Sequence, residues 1–158
     1  MPSLIKLGSM QVLRFKRLPE NTDLPLPAYA TDGAAGMDLR ACLPGGAVTI
    51  QPGGIVLIPI GFAVELPPGT EMQIRPRSGL AIKHALLVPN SPGTVDSDFR
   101  GQVQVGILNA GQGAYTVNHG DRIAQAVIAP VLRPQIVEVS LLNTTDRGDM
   151  GFGSTGLS

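Results

Sequence analysis

The sequence predicts an all-β fold, a sandwich, jelly roll or barrel carrying one very short helix. Three observations lead there. The chain holds 20 glycines and 14 prolines, and many of them fall in turn-forming clusters at short intervals. Between the clusters lie short apolar or alternating runs, the pattern of many strands joined by tight turns. Nowhere does a window of about 12 residues keep a 3.6-residue apolar period, so no long amphipathic helix is expected.

Residues 1–10 hold a single lysine and no long apolar stretch, which does not make a secretion signal. They are expected to be an N-terminal extension ahead of the first strand, Gln11-Val12-Leu13-Arg14-Phe15-Lys16. Further strands are expected over residues 47–50, 55–60, 62–66, 72–75, 85–88, 103–108, 123–131 and 136–139. Turn chemistry separates them at Pro44-Gly45-Gly46, Pro52-Gly53-Gly54, Pro67-Pro68-Gly69, Gly111-Gln112-Gly113 and Asn118-His119-Gly120-Asp121. The one helical candidate is Ser78–His84, opened by a serine cap. Residues 144–158 are glycine-spaced and have little to bury, so they are expected to form a tail that is mobile when empty.

At 158 residues the chain has the size of a single domain, 1–158, burying roughly 70% of its unfolded surface. Hydrophobic residues make up 43% without any run of about 18, so no membrane-spanning helix is expected. Net charge is zero, which leaves no basic field for duplex nucleic acid; a bound polyanion must be met by locally placed arginines. The lone Cys42 excludes an intramolecular disulfide and suits a reducing, cytoplasmic compartment.

The chemistry concentrates around Gly93-Thr94-Val95-Asp96-Ser97-Asp98-Phe99-Arg100-Gly101. This glycine-bounded turn carries two carboxylates, a ring and a guanidinium. It runs into Gln102-Val103-Gln104-Val105-Gly106-Ile107, whose alternation is that of a half-buried strand, so a β-hairpin is expected. Its backbone suits a planar base and its carboxylate suits a water, although an ordinary exposed turn has the same composition. Arg75-Pro76-Arg77-Ser78-Gly79-Leu80 joins a guanidinium, a hydroxyl and free amides at the start of the helix, an anion-binding set. Gln125 shares a strand face with Ile123 and Val127 and needs a partner there, either a ligand oxygen or a backbone group of the next strand. Asp38, flanked by small and apolar residues, is either paired with an arginine such as Arg40 or Arg77 or helps to hold a metal ion. His84 and His119 have no zinc spacing with each other or with Cys42.

In this order Ala35-Gly36-Met37-Asp38-Leu39, Arg77-Ser78-Gly79, residues 93–101, residues 120–125 and residues 147–156 resemble the five motifs of the trimeric dUTPase family. The resemblance spans nearly the whole chain. It implies a jelly-roll-like, β-clip homotrimer that hydrolyses dUTP to dUMP and pyrophosphate with Mg2+. It also implies that the C-terminal tail of each chain is swapped over a neighbour's site. It implies Asp96 as the base that deprotonates the water attacking the α-phosphorus, and Asp38 beside the metal through water. Arg77, Ser78, Gly79 and Gln125 are implied at the phosphates. Asn90, with main-chain groups of Thr94 and Val95 and those near Gln104, is implied at the uracil edge. Arg147 is implied at the γ-phosphate in trans, with Phe152 covering the base and Gly153, Ser154 and Thr155 completing the closed tail.

Two positions depart from the family pattern. Phe99 stands where a tyrosine commonly lies under the deoxyribose, and Met150 where a second glycine is common in the tail. The sequence also resembles, in architecture, the related dCTP deaminases, which use a glutamate beside their phosphate arginines. Residues 75–84 contain no glutamate. A third reading is a trimeric β-module that senses nucleotides or binds a partner without catalysis. Asp96, Arg77, Arg147 and Phe152 together are more than such a module needs.

Overall fold

A computed structural model describes residues 11–151. Its strands are β1 (Arg14–Arg17), β2 (Met37–Arg40), β3 (Val48–Ile50), β4 (Ile55–Glu65) and β5 (Thr70–Arg75). After helix α1 (Ser78–His84) come β6 (Leu86–Leu87), β7 (Gly93–Val95), β8 (Gln102–Asn109), β9 (Tyr115–Val117) and β10 (Arg122–Pro130). They form two four-stranded antiparallel sheets, ordered β1-β4-β8-β6 and β2-β10-β5-β7, with a two-stranded sheet β3-β9 beside them. The mostly-β expectation with one short helix is met. No helix among the described residues is long and apolar enough to cross a membrane.

The core follows from strand periodicity. Along β8, Val103, Val105, Ile107 and Asn109 are buried while Gln104 is exposed. From the other sheet Leu39, Met72, Ala124 and Ala126 join the same cluster as Ile58, Ile60 and Phe62 of β4. Asn109, the polar member of this row, is satisfied: its Nδ2 donates to the Ile50 and Gly113 carbonyls at 2.9 and 2.8 Å.

Several expected elements differ. The runs 55–60 and 62–66 are one strand, because Gly61 at φ +74° lets β4 turn without breaking. A register shift between Pro59 and Ala63 interrupts the pairing of β4 with β8, and the part beyond it also pairs with β1. A Cβ on Gly61 would lie 2.6 Å from the Asn21 Cβ and 2.8 Å from the Cys42 Sγ. Residues 136–139 are not a strand. They pair with no strand among the described residues, and Ile136 is 95% exposed. The helix cap is Arg77 in extended conformation, without a side-chain cap bond, so Ser78 is the first helical residue rather than the cap.

Candidate active site

The acidic turn does not close a hairpin. β7 pairs with β5 (Ile74 with Gly93, Met72 with Val95), whereas β8 pairs with β4 and β6, so the flanks of the turn belong to different sheets. Their divergence opens a cleft of about 270 Å³. Asn90, Thr94, Val95, Asp96, Phe99 and Gln104 all line it, together with Ile74 and Gln102. Along β7, Gly93 and Val95 are buried, which leaves Thr94 outward, with Asp96 exposed just beyond the strand. No ion pair among the described residues involves Asp96.

The two glycines act on side chains rather than on the backbone alone. A Cβ on Gly101 would lie 2.7 Å from the Phe99 Cζ, so the ring folds across a position only glycine leaves free. A Cβ on Gly93 would lie 3.2 Å from the Asn90 Nδ2. Arg100 is spent inside the turn: its Nη1 donates to the Ser97 and Phe99 carbonyls at 2.8 and 3.0 Å.

A second constellation forms where β2, β10 and the exit of β5 meet. Arg77 Nε donates to Asp38 Oδ1 at 2.9 Å, and Arg122 Nη1 donates to Asp38 Oδ2 at 3.2 Å. Of the alternatives open for Asp38, the arginine pairing is the one observed, with Arg77 and Arg122; Arg40 instead donates to the Gly120 carbonyl at 2.8 Å. Gln125 Nε2 donates to the Pro76 carbonyl at 2.9 Å. Gln125 does not share a face with Ile123. A bulge between Arg122 and Ala124 breaks the alternation, so Ile123 and Ala124 are both buried while Gln125 turns outward. Gly36 lies beside it: a Cβ there would lie 2.6 Å from the Gln125 Oε1, so the amide end of Gln125 would have to move.

Ser78 and Gln125 line a separate cavity of about 560 Å³ with Gln73, Arg75 and Pro76. Ile74 lines the first cleft and its neighbours Gln73 and Arg75 the second, so the two lie on opposite faces of β5. Arg77, Asp38 and Arg122 line neither of these two cavities, but Asp38, Gln125 and Arg75 are direct cross-strand partners and so share the second face, which keeps the Arg77 group apart from the cleft within one chain. Gly79 borders open space. Arg147 lines neither cavity; it sits in an exposed turn where its Nε donates to the Met150 carbonyl at 2.9 Å. Phe152, Gly153, Ser154 and Thr155 lie outside the described residues.

Sequence reasoning gave Arg122 no role. The signal that it pairs with Asp38 is hidden by the bulge, because regular alternation puts residues 122 and 125 on opposite faces.

As for Mg2+, no group of three or more His, Cys, Asp or Glu suited to a metal occurs among the described residues. Each oxygen of Asp38 already accepts from a guanidinium. Lone pairs remain, so this carboxylate fits a water of a hydrated ion rather than direct ligation.

A mostly-β chain with a polar cleft at an acidic turn and an arginine–carboxylate cluster across the same strand defines a protein built to handle an anionic ligand. The dUTPase family model matches residues 22–156, and the chain belongs to the dUTPase family. The deoxyuridine 5'-triphosphate nucleotidohydrolase of Desulfotalea psychrophila is 59% identical over 138 residues, covering 87% of this chain and 91% of its own length. The protein of the same name from Caulobacter vibrioides is 56% identical over 146 residues, covering 92% and 94%. Among solved structures, the Staphylococcus bacteriophage 80alpha dUTPase with dUPNHPP superposes with TM-score 0.82 at 25% identity, covering 92% of this chain and 99% of that one.

Proposed function

We propose that this chain hydrolyses dUTP to dUMP and pyrophosphate, with Asp96 as general base. The observation that carries the reading is the cleft between β7 and β8 with the unpaired Asp96 carboxylate on its rim. Uracil enters between the diverging strands, where Asn90 and main-chain groups of Thr94, Val95 and the Gln104 region meet its edge. Phe99 lies against the deoxyribose. Asp96 takes a proton from a water; the water oxygen bonds to the α-phosphorus while the bond to the bridging oxygen breaks and pyrophosphate leaves. Arg77, Ser78, Gly79 and Gln125 hold the phosphates and oppose the charge that develops on the leaving group. Asp38 would hold Mg2+ through one of its waters, and the ion would supply charge neutralisation of the phosphate chain. This supplies dUMP for thymidylate synthesis and keeps uracil out of DNA.

The complete site is shared within a homotrimer of jelly-roll-like, single-domain chains. Two observations support sharing. The cleft and the Arg77 group lie on opposite faces of β5, and Leu132, Ile136, Leu141 and Leu142 are exposed beyond β10, as in an arm that belongs on a neighbouring copy. Residues 144–158 form the swapped lid, Arg147 reaching the γ-phosphate of a neighbour's substrate and Phe152, Gly153, Ser154 and Thr155 closing over it.

The test is pyrophosphate release from dUTP, with dCTP, dTTP and UTP alongside, with and without Mg2+. Rapid dUTP-selective release stimulated by Mg2+ is expected. Saturable dUTP binding without release would overturn the catalytic reading and leave a nucleotide-sensing module. UTP turnover would show that Phe99, lacking a phenol hydroxyl, fails to reject a ribose.

A further inference from the structure

We infer that Arg122 is a positioning residue for Arg77, acting through Asp38, and that the bulge in β10 serves to present it. The inference rests on the reading above that Arg77 meets the phosphates.

In the β2–β10 register Arg122 opposes Arg40, Ala124 opposes Leu39 and Gln125 opposes Asp38, which leaves Ile123 as the extra residue. In a regular strand Arg122 and Gln125, three apart, point to opposite faces. The inserted Ile123 goes into the core at 3% exposure, and Arg122 emerges on the outward face with Asp38 and Gln125. A bulge gives up regular ladder bonding, and it is found where a side chain must be re-aimed. Here the re-aimed group is the guanidinium that closes on Asp38 Oδ2 at 3.2 Å.

The consequence falls on Arg77. Its Nε is held by Asp38 Oδ1 at 2.9 Å and, on the other side of the guanidinium, its Nη1 by the Arg122 carbonyl at 3.3 Å, so the plane is fixed from both sides. The preceding carbonyl, that of Pro76, is tied by Gln125. Nη2 has no partner among the described residues and is the nitrogen left for an anion. The terminal torsion of an aspartate is soft. With both oxygens bound the carboxylate is fixed in rotation; with Oδ2 released it swings and takes Arg77 with it. Asp38 and Arg77 are each only 26% exposed, so this pair is less screened than a surface ion pair. Arg122 thus preorganises the phosphate grip without needing to touch substrate.

The experiment is a double-mutant cycle on dUTP hydrolysis with wild type, Arg122→Ala, Arg122→Lys, Arg77→Ala and Arg77→Ala/Arg122→Ala. Arg122→Ala should raise KM on the order of tenfold with a smaller fall in kcat. Inhibition by deoxyuridine, which has no phosphate, should not change. In the Arg77→Ala background the same replacement should move KM by less than about twofold. Arg122→Lys keeps one donor for Asp38 and should recover most of the loss.

An equal KM change in both backgrounds would mean that Arg122 contacts substrate itself, and would overturn the inference. So would an unchanged KM with only a lowered melting temperature. If Arg122→Ala does not fold, Asp38→Asn takes its place, with the same dependence on Arg77 required. Calorimetric titration with inorganic pyrophosphate repeats the cycle without turnover. A wild type whose pyrophosphate binding depends on Arg77 and Arg122 together, but which releases none from dUTP, would sink the substrate reading and keep this one.

Discussion

Asp96→Asn removes a proton acceptor and leaves the shape of the cleft. It should lower kcat by roughly 10²–10⁴ while dUTP binding stays close to wild type. Single-turnover rates and calorimetric binding check this, and near-normal turnover would remove Asp96 from its role. Cys42 makes a different residue-scale prediction. Burial, with help from Glu20 and Asp23 and against Arg17, pushes its thiol above the ordinary cysteine range. The folded state therefore favours the neutral thiol. That contribution is full below the ordinary thiol pKa and is lost as pH rises through the raised one, because the unfolded chain ionises first. Native protein at neutral pH should resist alkylation until denaturant is added. The alkaline loss of melting temperature should be smaller in Cys42→Ala than in wild type. At this scale the sequence was legible where residues lie close along the chain: Asn90, Asp96, Phe99 and Gln104 line one cleft. Arg122 was not legible, because its partner is eighty-four residues away and its face is set by a bulge.

Elements were legible wherever alternation met a buried partner strand, as in β8 and β5. They were misread where pairing partners decide the outcome. The acidic turn looked like a hairpin because its flanks are adjacent in sequence, yet β7 found β5 and β8 found β4. That misreading matters, since a closed hairpin has no cleft between its strands. Residues 136–139 alternate like a strand and pair with nothing among the described residues. Gly61 read as a break and is instead the bend inside β4. Gly61→Ala combines a left-handed φ with a Cβ pressed against Asn21 and Cys42. It should destabilise the chain by roughly 2–5 kcal/mol, the sum of conformational strain and overpacking. A urea midpoint within error of wild type would show that β4 relaxes around the methyl group.

At the scale of the whole molecule, the separation of the cleft from the Arg77 group across β5 decides between two assemblies. If one chain completes its own site, Asp96→Asn and Arg77→Ala chains remain inactive however they are mixed, because no site holds both native residues. If the cleft of one copy faces the Arg77 group of another, mixing rescues activity. Each site then needs its cleft from an Arg77→Ala chain and its phosphate grip from an Asp96→Asn chain. Random association at equal amounts gives that pairing in about a quarter of sites. Co-refolding the two inactive variants should therefore restore on the order of a quarter of wild-type turnover, while mixing without refolding should restore little if subunits exchange slowly. Deleting residues 144–158 in both variants should cut this recovered rate, with the assembly size unchanged, because the tail acts on a site it does not help to build. Full inactivity after co-refolding, with mixed assemblies verified by mass, would place the whole site in one chain. It would also require a rearrangement of β5 that brings its two faces together.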